Sequence, residues 1–246
     1  MRLEPVHHTI VAMDVAGSGG RDDVLQLRMR ADLREIVSDT LALQSLDLAA
    51  LDHSDLGDGI RLIIAEVSPA VLLNPFAPNL ATALRQHRKA ASDAARLRLR
   101  VAITTGLLHR DAAGWAGAPL VECARMLDAA LVRQVLAADD RVDLVLVVSR
   151  AVYDGVVRHG YGLDPDSFHP ADIAEKETRA TVWIHVPGYR VPPGLDDQPA
   201  AVASDEAAHR PAGGAVFNVT AARDAYTAQE MTVTHYGGVV RPEPLP

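Results

Sequence analysis

Apolar and polar positions along residues 8–188 change period repeatedly, which predicts alternating strands and helices. Continuous or alternating apolar runs predict five strand segments, in order 8–15, 56–67, 96–106, 142–149 and 179–188. Apolar positions spaced three and four apart predict four helical segments, in order 22–46, 79–95, 120–138 and 150–160. Pro78 suits the first turn of the second helix. The first helical segment is long enough to hold two helices.

The order of these segments predicts the class of fold. The Gly57-Asp58-Gly59 turn signal precedes a β-branched run, so 56–67 and the residues before it are expected to form a hairpin. The order β α β β α β α β α β predicts an α/β sandwich of the ferredoxin-like kind, with a mixed or mainly antiparallel sheet. We expect this domain to occupy residues 1–190.

The composition changes after Gly188. Residues 191–214 are rich in Pro, Ala and Asp and have no hydrophobic period, so they are expected to form a disordered linker. Residues 215–246 hold two short β-prone runs, around Phe217 and Val233. This tail is interpreted either as an unstructured end, as a strand added to its own domain, or as a segment that recruits a protein partner by strand pairing.

Composition and charge exclude several classes of protein. A net charge of −8 argues against a nucleic-acid binder that depends on bulk positive charge. The single cysteine, Cys123, excludes an intramolecular disulfide and a Cys-rich zinc site. No apolar run approaches the roughly 18 residues of a membrane span, and the N-terminus lacks a signal-peptide pattern. We therefore expect a cytoplasmic protein, and the richness in Ala, Arg, Asp and Val is typical of actinobacterial coding.

Two acidic residues lie at predicted turns and are candidate metal ligands. Asp14 ends the first strand and is followed by the small residues 16–19, and Asp58 lies in the predicted hairpin turn. Each alone is explained by a turn that favours Asp and Gly. If the two strands are neighbours, the two carboxylates can converge as the oxygen ligands that Mg²⁺ or Mn²⁺ prefers.

Several segments together resemble the catalytic domain of class III nucleotidyl cyclases, the adenylate and guanylate cyclase family. The family motif Asp-Ile-x-Gly-Phe-Ser/Thr is matched by residues 14–18, and its Gly-Asp hairpin pair by Gly57-Asp58. The strand from Arg100 to Gly106 is similar to its Arg-x-Gly-Ile-His-x-Gly segment. The helix sequence GAPLVECARMLDA is similar to Gly-x-x-Val-Asn-x-Ala-Ser-Arg-Met. The resemblance covers roughly residues 6–188.

The resemblance implies a metal-dependent reaction on a nucleoside triphosphate, in which the 3′-hydroxyl attacks the α-phosphate and pyrophosphate leaves. Asp14 and Asp58 would hold two ions, Mg²⁺ or Mn²⁺. Arg125 would stabilise the charge on the α-phosphate, and Lys176 would contact the terminal phosphates. The residues expected to approach phosphate through their backbone N–H groups are Ala16, Gly17, Ser18 and Gly19.

In that family the metal aspartates and the arginine come from opposite subunits, so the resemblance also implies a homodimer. Surface and structural roles compete with these assignments. Arg125 could pair with Glu122 or Asp128 along its helix, and Lys176 is flanked by Glu175 and Glu177 in a solvated charge run.

The sequence departs from the family pattern at three functional positions. Val121 stands where the family has a transition-state asparagine, and Ser54 and Gly114 stand at the two base-selecting positions. The late Lys-Gly pair is Lys176-Glu177 here. Two hypotheses follow: a cyclase that makes a 3′,5′-cyclic nucleotide, and an inactive pseudo-cyclase that serves as a nucleotide-sensing or protein-interaction module in intracellular signalling.

Overall fold

A computed structural model describes residues 4–195, and the strands of this part of the chain form one sheet system. In chain order the strands are β1 (Val6–Val15), β2 (Asp52–Asp55), β3 (Gly59–Ile64), β4 (Leu99–Asp111), β5 (Gly114–Ala116), β6 (Leu144–Val148), β7 (His169–Glu175) and β8 (Thr178–His185). The α-helices are α1 (Asp23–Ala42), α2 (Pro69–Val71), α3 (Ala77–Ala90), α4 (Ala118–Asp128), α5 (Ala130–Ala138) and α6 (Arg150–Gly155).

The sheet is mixed and mainly antiparallel. Its strand order is β2-β3-β1-β4-β6-β8-β7, and β5 forms a short hairpin with the end of β4. Among these pairs only β4 and β6 run parallel, because α4 and α5 carry the chain across one face between them. The predicted α/β sandwich with a mixed, mainly antiparallel sheet is confirmed.

Alternation along β1 divides the core into two layers. Val11 and Met13 pack with α1 and α3 on one face, while Ile10 and Ala12 pack with α4 and α5 on the other. All four are at most 4% exposed, so β1 is covered on both sides. Asp14 follows the same alternation onto the α4 face.

Helix boundaries follow local signals in part. Asp22 caps α1 by accepting a hydrogen bond from the Leu25 N–H, and Pro78 lies in the first turn of α3, as expected. The long first helical segment forms one helix, α1, rather than two. The predicted helix over 120–138 is broken at Ala129, whose extended backbone (φ −57°, ψ 133°) separates α4 from α5.

The structure also adds strands that the sequence pattern did not predict. Residues 109–119, between the predicted strand 96–106 and the predicted helix 120–138, contain the end of β4 and all of β5. β7 precedes the predicted last strand and pairs with it through a tight turn at Lys176 and Glu177.

The end of the described region belongs to the domain core. Within the expected linker, Leu195 is 9% exposed and packs in the α4–α5 layer, so the packed domain extends at least to residue 195. The rest of the expected linker, 196–214, and the tail, 215–246, lie outside the described residues. Across the described residues, no helix has the length and apolar content needed to cross a membrane.

Candidate functional site

Asp14 lies near the end of β1, between two neighbouring strands. Strand register places it opposite Gly59 of β3 and Arg100 of β4. The Arg100 guanidinium donates to both carboxylate oxygens, from Nε at 2.8 Å and from Nη2 at 2.6 Å. Both side chains are only 12–13% exposed, so this is a nearly buried, two-point ion pair.

Burial is the largest influence on the protonation of Asp14. Desolvation raises the pKa of this carboxyl to about 6, although Arg100 opposes it through its charge and hydrogen bonds. The neighbouring carboxylates of Asp58 and Asp128 add to the increase in pKa. The charge and hydrogen bonds of Arg100 therefore offset only part of the effect of burial on the Asp14 carboxylate.

Asp58 lies in the β2–β3 turn and reaches the β1–α1 loop. Its Oδ2 accepts a 2.5 Å hydrogen bond from the Ser18 hydroxyl, and its carbonyl accepts one from the Val15 N–H at 2.9 Å. Gly57 supplies the positive φ of 91° that this turn needs. These contacts hold the hairpin turn against the end of β1, which brings the second predicted metal ligand beside the first.

Three carboxylates and an arginine line one cavity between the sheet and α4. The cavity has a volume of about 270 Å³, and its charged lining residues are Asp14, Asp58, Asp128 and Arg61. A raised pKa beside two further acids is a setting that a hard divalent cation would stabilise, so these residues fit the expected metal. Within residues 4–195, however, no three His, Cys, Asp or Glu side chains form a preorganised metal cluster.

Residues of the β1–α1 loop line two further cavities, one of which shares Asp58 with the acidic cavity. Ala16 and Gly17 line a cavity of about 180 Å³ with Arg98, Arg100 and Arg133. Ser18 and Gly19 line another of about 300 Å³ near the start of α1. The Ala16 N–H donates to the Arg98 carbonyl at 2.9 Å, so this predicted phosphate contact is already used within the sheet.

The other two predicted phosphate-site residues lie away from the acidic cavity. Arg125 of α4 does not line it, makes no ion pair with Glu122 or Asp128, and has a buried Nε without a partner in the described part of the chain. Lys176 is exposed at the β7–β8 turn, with a φ of 52°. Because β8 runs antiparallel to β6 and Val148 pairs with Trp183, that turn lies at the opposite end of the sheet from Asp14.

The positions that depart from the family pattern have defined surroundings. Val121 is 53% exposed on α4, whereas Glu122 turns inward and accepts a 3.0 Å hydrogen bond from the Thr104 hydroxyl. Ser54 of β2 accepts a hydrogen bond from Arg61 at 3.2 Å. Gly114 begins β5 with a φ of 128°. Of the three replacements, Val121 thus faces solvent, Ser54 contacts Arg61, and Gly114 has a backbone conformation that favours glycine.

Sequence reasoning missed three charged residues of this site: Arg61, Arg100 and Asp128. The sequence pattern indicates Arg100 only as part of a strand, and strand pairing places it opposite Asp14. The alternating arginines at 96, 98 and 100 are a signal that one side of the predicted strand 96–106 carries cations. Their partners become visible only once the sheet is assembled.

The described domain has the fold of the catalytic domains of adenylate and guanylate cyclases. Solved structures similar to it include an adenylate/guanylate cyclase/hydrolase from Silicibacter pomeroyi (TM-score 0.53, 19% identity, 76% of this chain and 99% of that one). Others are the guanylyl cyclase Cya2 (0.51, 14%, 74% and 92%) and the catalytic core of a rhodopsin-guanylyl cyclase with converted specificity, in complex with ATPαS (0.50, 13%, 74% and 96%).

The resemblance seen in the sequence is thus confirmed for the fold. No protein-family model matches the chain, and no curated protein sequence matches it. Sequence identities of 13–19% to these structures leave the activity to be argued from the site itself.

Proposed function

We propose that this chain is a class III nucleotidyl cyclase homologue that takes a nucleoside triphosphate, with a divalent metal, and forms a 3′,5′-cyclic nucleotide. One observation carries the proposal: Asp14 and Asp58, distant in sequence, line a single cavity beside a loop of small residues. The cyclase-like fold supports the same reading, and one neighbour of that fold is a guanylyl cyclase core solved with ATPαS.

Asp14 and Asp58 would hold Mg²⁺ or Mn²⁺, which when bound lowers the pKa of the attacking hydroxyl and neutralises phosphate charge. Arg100 pairs with Asp14 and also lines the cavity of Ala16 and Gly17. From that position its guanidinium would pair with a phosphate oxygen of the bound triphosphate. The Ser18 hydroxyl holds Asp58 in place.

Arg125 and Lys176 would act on the triphosphate of a second copy. Arg125 is outside the acidic cavity of its own chain, and Lys176 lies at the other end of the sheet. A head-to-tail homodimer would bring these cations to the partner's carboxylates. The Nε of Arg125 supports this role, because it is buried without an acceptor among residues 4–195 and a ligand oxygen would satisfy it.

A second candidate function is an inactive module that binds the nucleotide in intracellular signalling. Val121 favours it, because an exposed valine one helical turn before Arg125 cannot donate a hydrogen bond to ribose or phosphate.

Incubation of the full chain with ATP, GTP, CTP or UTP and Mn²⁺ tests both functions. The cyclase predicts pyrophosphate and a cyclic product that disappear in Asp14→Asn and in Asp58→Asn. The inactive module predicts no product but Mn²⁺-dependent binding of triphosphate that Asp14→Asn abolishes. Absence of any metal-dependent binding would contradict both, and the exposed Asp140→Asn serves as the control for loss of a carboxylate.

A further inference from the structure

Arg61 is a cation inside the acidic cavity that none of the roles above uses. It lies on β3, opposite Ala12 of β1 and Ser54 of β2, and it lines the cavity with Asp14 and Asp58. Although three carboxylates share that cavity, Arg61 makes no ion pair within 4 Å among residues 4–195. Arg61 therefore is not held there by a salt bridge.

The guanidinium of Arg61 has donors to spare. Its Nη2 donates to the Ser54 hydroxyl at 3.2 Å, and its Nε is buried without an acceptor in the described part of the chain. A guanidinium carries five N–H groups in one plane, so the Ser54 contact uses one of them and fixes the plane of the rest. Buried donors of this kind are normally satisfied, by protein, water or ligand.

We propose that Arg61, oriented by Ser54, is the residue that recognises the base of the bound nucleotide. This inference rests on the proposed function and adds to it the class of substrate. A planar fork of donors pairs best with a base edge that presents two adjacent acceptors. Guanine offers O6 and N7, and cytosine offers O2 and N3, on such an edge.

The same chemistry disfavours the other two bases. Adenine presents an amino donor beside its N7, which opposes a guanidinium N–H, and the acceptors of uracil flank an N–H donor. The chain would therefore select guanosine or cytidine triphosphate over adenosine and uridine triphosphate. The guanidinium that makes this selection belongs to Arg61 on β3. Ser54 occupies a position where the resemblance implies a base-selecting side chain, and here it orients Arg61 by accepting its hydrogen bond.

Calorimetry with the four 3′-deoxynucleoside triphosphates and Mn²⁺ tests this inference, because these probes lack the hydroxyl that would react. The full chain should bind the guanine or the cytosine probe at least about tenfold more tightly than the adenine probe. Arg61→Met keeps the length of the side chain without its donors and should reduce that ratio to within about threefold. Arg85→Gln, an exposed arginine on α3, is the matched control and should keep the ratio.

Ser54→Ala is a second variant that leaves Arg61 in place. It should lower the ratio of guanine or cytosine binding to adenine binding, because the guanidinium loses the hydrogen bond that orients it. Equal binding of all four probes by the wild type, or a ratio that persists in both Arg61→Met and Ser54→Ala, would overturn the inference. Mn²⁺-dependent binding in the same titrations would still support the triphosphate binding that both candidate functions require. If none of the four probes binds, the proposed function and the inference are both overturned.

Discussion

Arg100 on β4 donates hydrogen bonds to both carboxylate oxygens of Asp14 on β1, and the two side chains are only 12–13% exposed. This contact joins the two central strands at the point where the candidate metal site begins. A divalent cation bound at Asp14 would carry the same sign of charge as the guanidinium. Under the proposed function, metal binding would therefore compete with this ion pair for Asp14.

Removal of Arg100 should strengthen metal binding. In Arg100→Ala we expect the Kd for Mn²⁺ alone at pH 8 to fall about tenfold, because a close competing charge is worth at least about 1.4 kcal/mol. Thermal unfolding with increasing Mn²⁺ measures this as a larger stabilisation than in the wild type. The control is Arg133→Ala, which removes an exposed cation from the neighbouring cavity. Weaker Mn²⁺ binding in Arg100→Ala would contradict the competition.

Protonation of Asp14 should make stability depend on pH. Its pKa of about 6 in the folded chain lies above the unfolded value of 3.8, so between these values the folded state holds the extra proton. The contribution of this proton is complete below pH 3.8 and disappears as the pH rises through about 6. Relative to Asp14→Asn, the wild type should lose no more than about 3 kcal/mol of unfolding free energy from pH 4 to pH 7. Denaturant titrations of both proteins at those pH values measure it, and equal pH profiles would refute the burial argument.

A larger side chain at Gly59 should disturb the site through the backbone. A Cβ there would lie 2.2 Å from the Met13 carbonyl oxygen and 3.1 Å from the Asp14 Cα. Gly59→Ala should cost about 1 to 3 kcal/mol of stability and weaken Mn²⁺ binding by separating β3 from β1. Gly20→Ala adds the same methyl group where nothing lies within 4 Å and should be nearly neutral. Equal unfolding midpoints for the two variants would contradict the close approach.

Val121→Asn should raise cyclic-nucleotide production if the first proposed function holds. Position 121 is 53% exposed, so the change costs little stability, and it places an amide one helical turn from Arg125. A single donor to a transition state changes the rate by about 10²-fold or more in favourable sites, so an increase of at least about tenfold is expected. The exposed Val24→Asn on α1 is the control. An unchanged rate in a chain that binds triphosphate would favour the inactive module.

Asp143 should be a determinant of stability rather than of function. Its side chain is 3% exposed and lies 2.7 Å from Arg96 and 3.0 Å from Arg88. Asp143→Ala leaves two cations without their partner and should cost about 3 kcal/mol of unfolding free energy. Asp140→Ala, with a 94% exposed side chain, should change it by less than about 0.5 kcal/mol. Chemical unfolding measures both, and equal losses would contradict the burial argument.

Strands β1, β3 and β6 and the turn at Gly57 were predictable because their signals are local. Apolar runs and turn residues determine β1, β3 and β6 within a few positions of the chain. The break at Ala129 was not, because alanine favours helix and the apolar period continues through 120–138. Packing of two separate helices on one face of the sheet overrides that preference.

The acids of the site were predictable, but their partners were not. Asp14 and Asp58 follow strand-end and turn signals, whereas the pairs Asp14–Arg100 and Ser54–Arg61 depend on which strands become neighbours and in what register. β7 shows the same limit: Ala171 and Ile173 alternate inward, but Pro170 weakens the strand signal. Tertiary pairing supplies the information that the local pattern lacks.

The distance between the acidic end of the sheet and the Lys176 turn has a genetic consequence. Substitution of Asp14 and substitution of Lys176 change opposite ends of the sheet in one chain. Under the head-to-tail proposal, two separately inactive variants, Asp14→Asn and Lys176→Ala, would complement each other when mixed. Each mixed pair would assemble one intact reaction centre and one doubly damaged one, so activity would return to a fraction of the wild-type value.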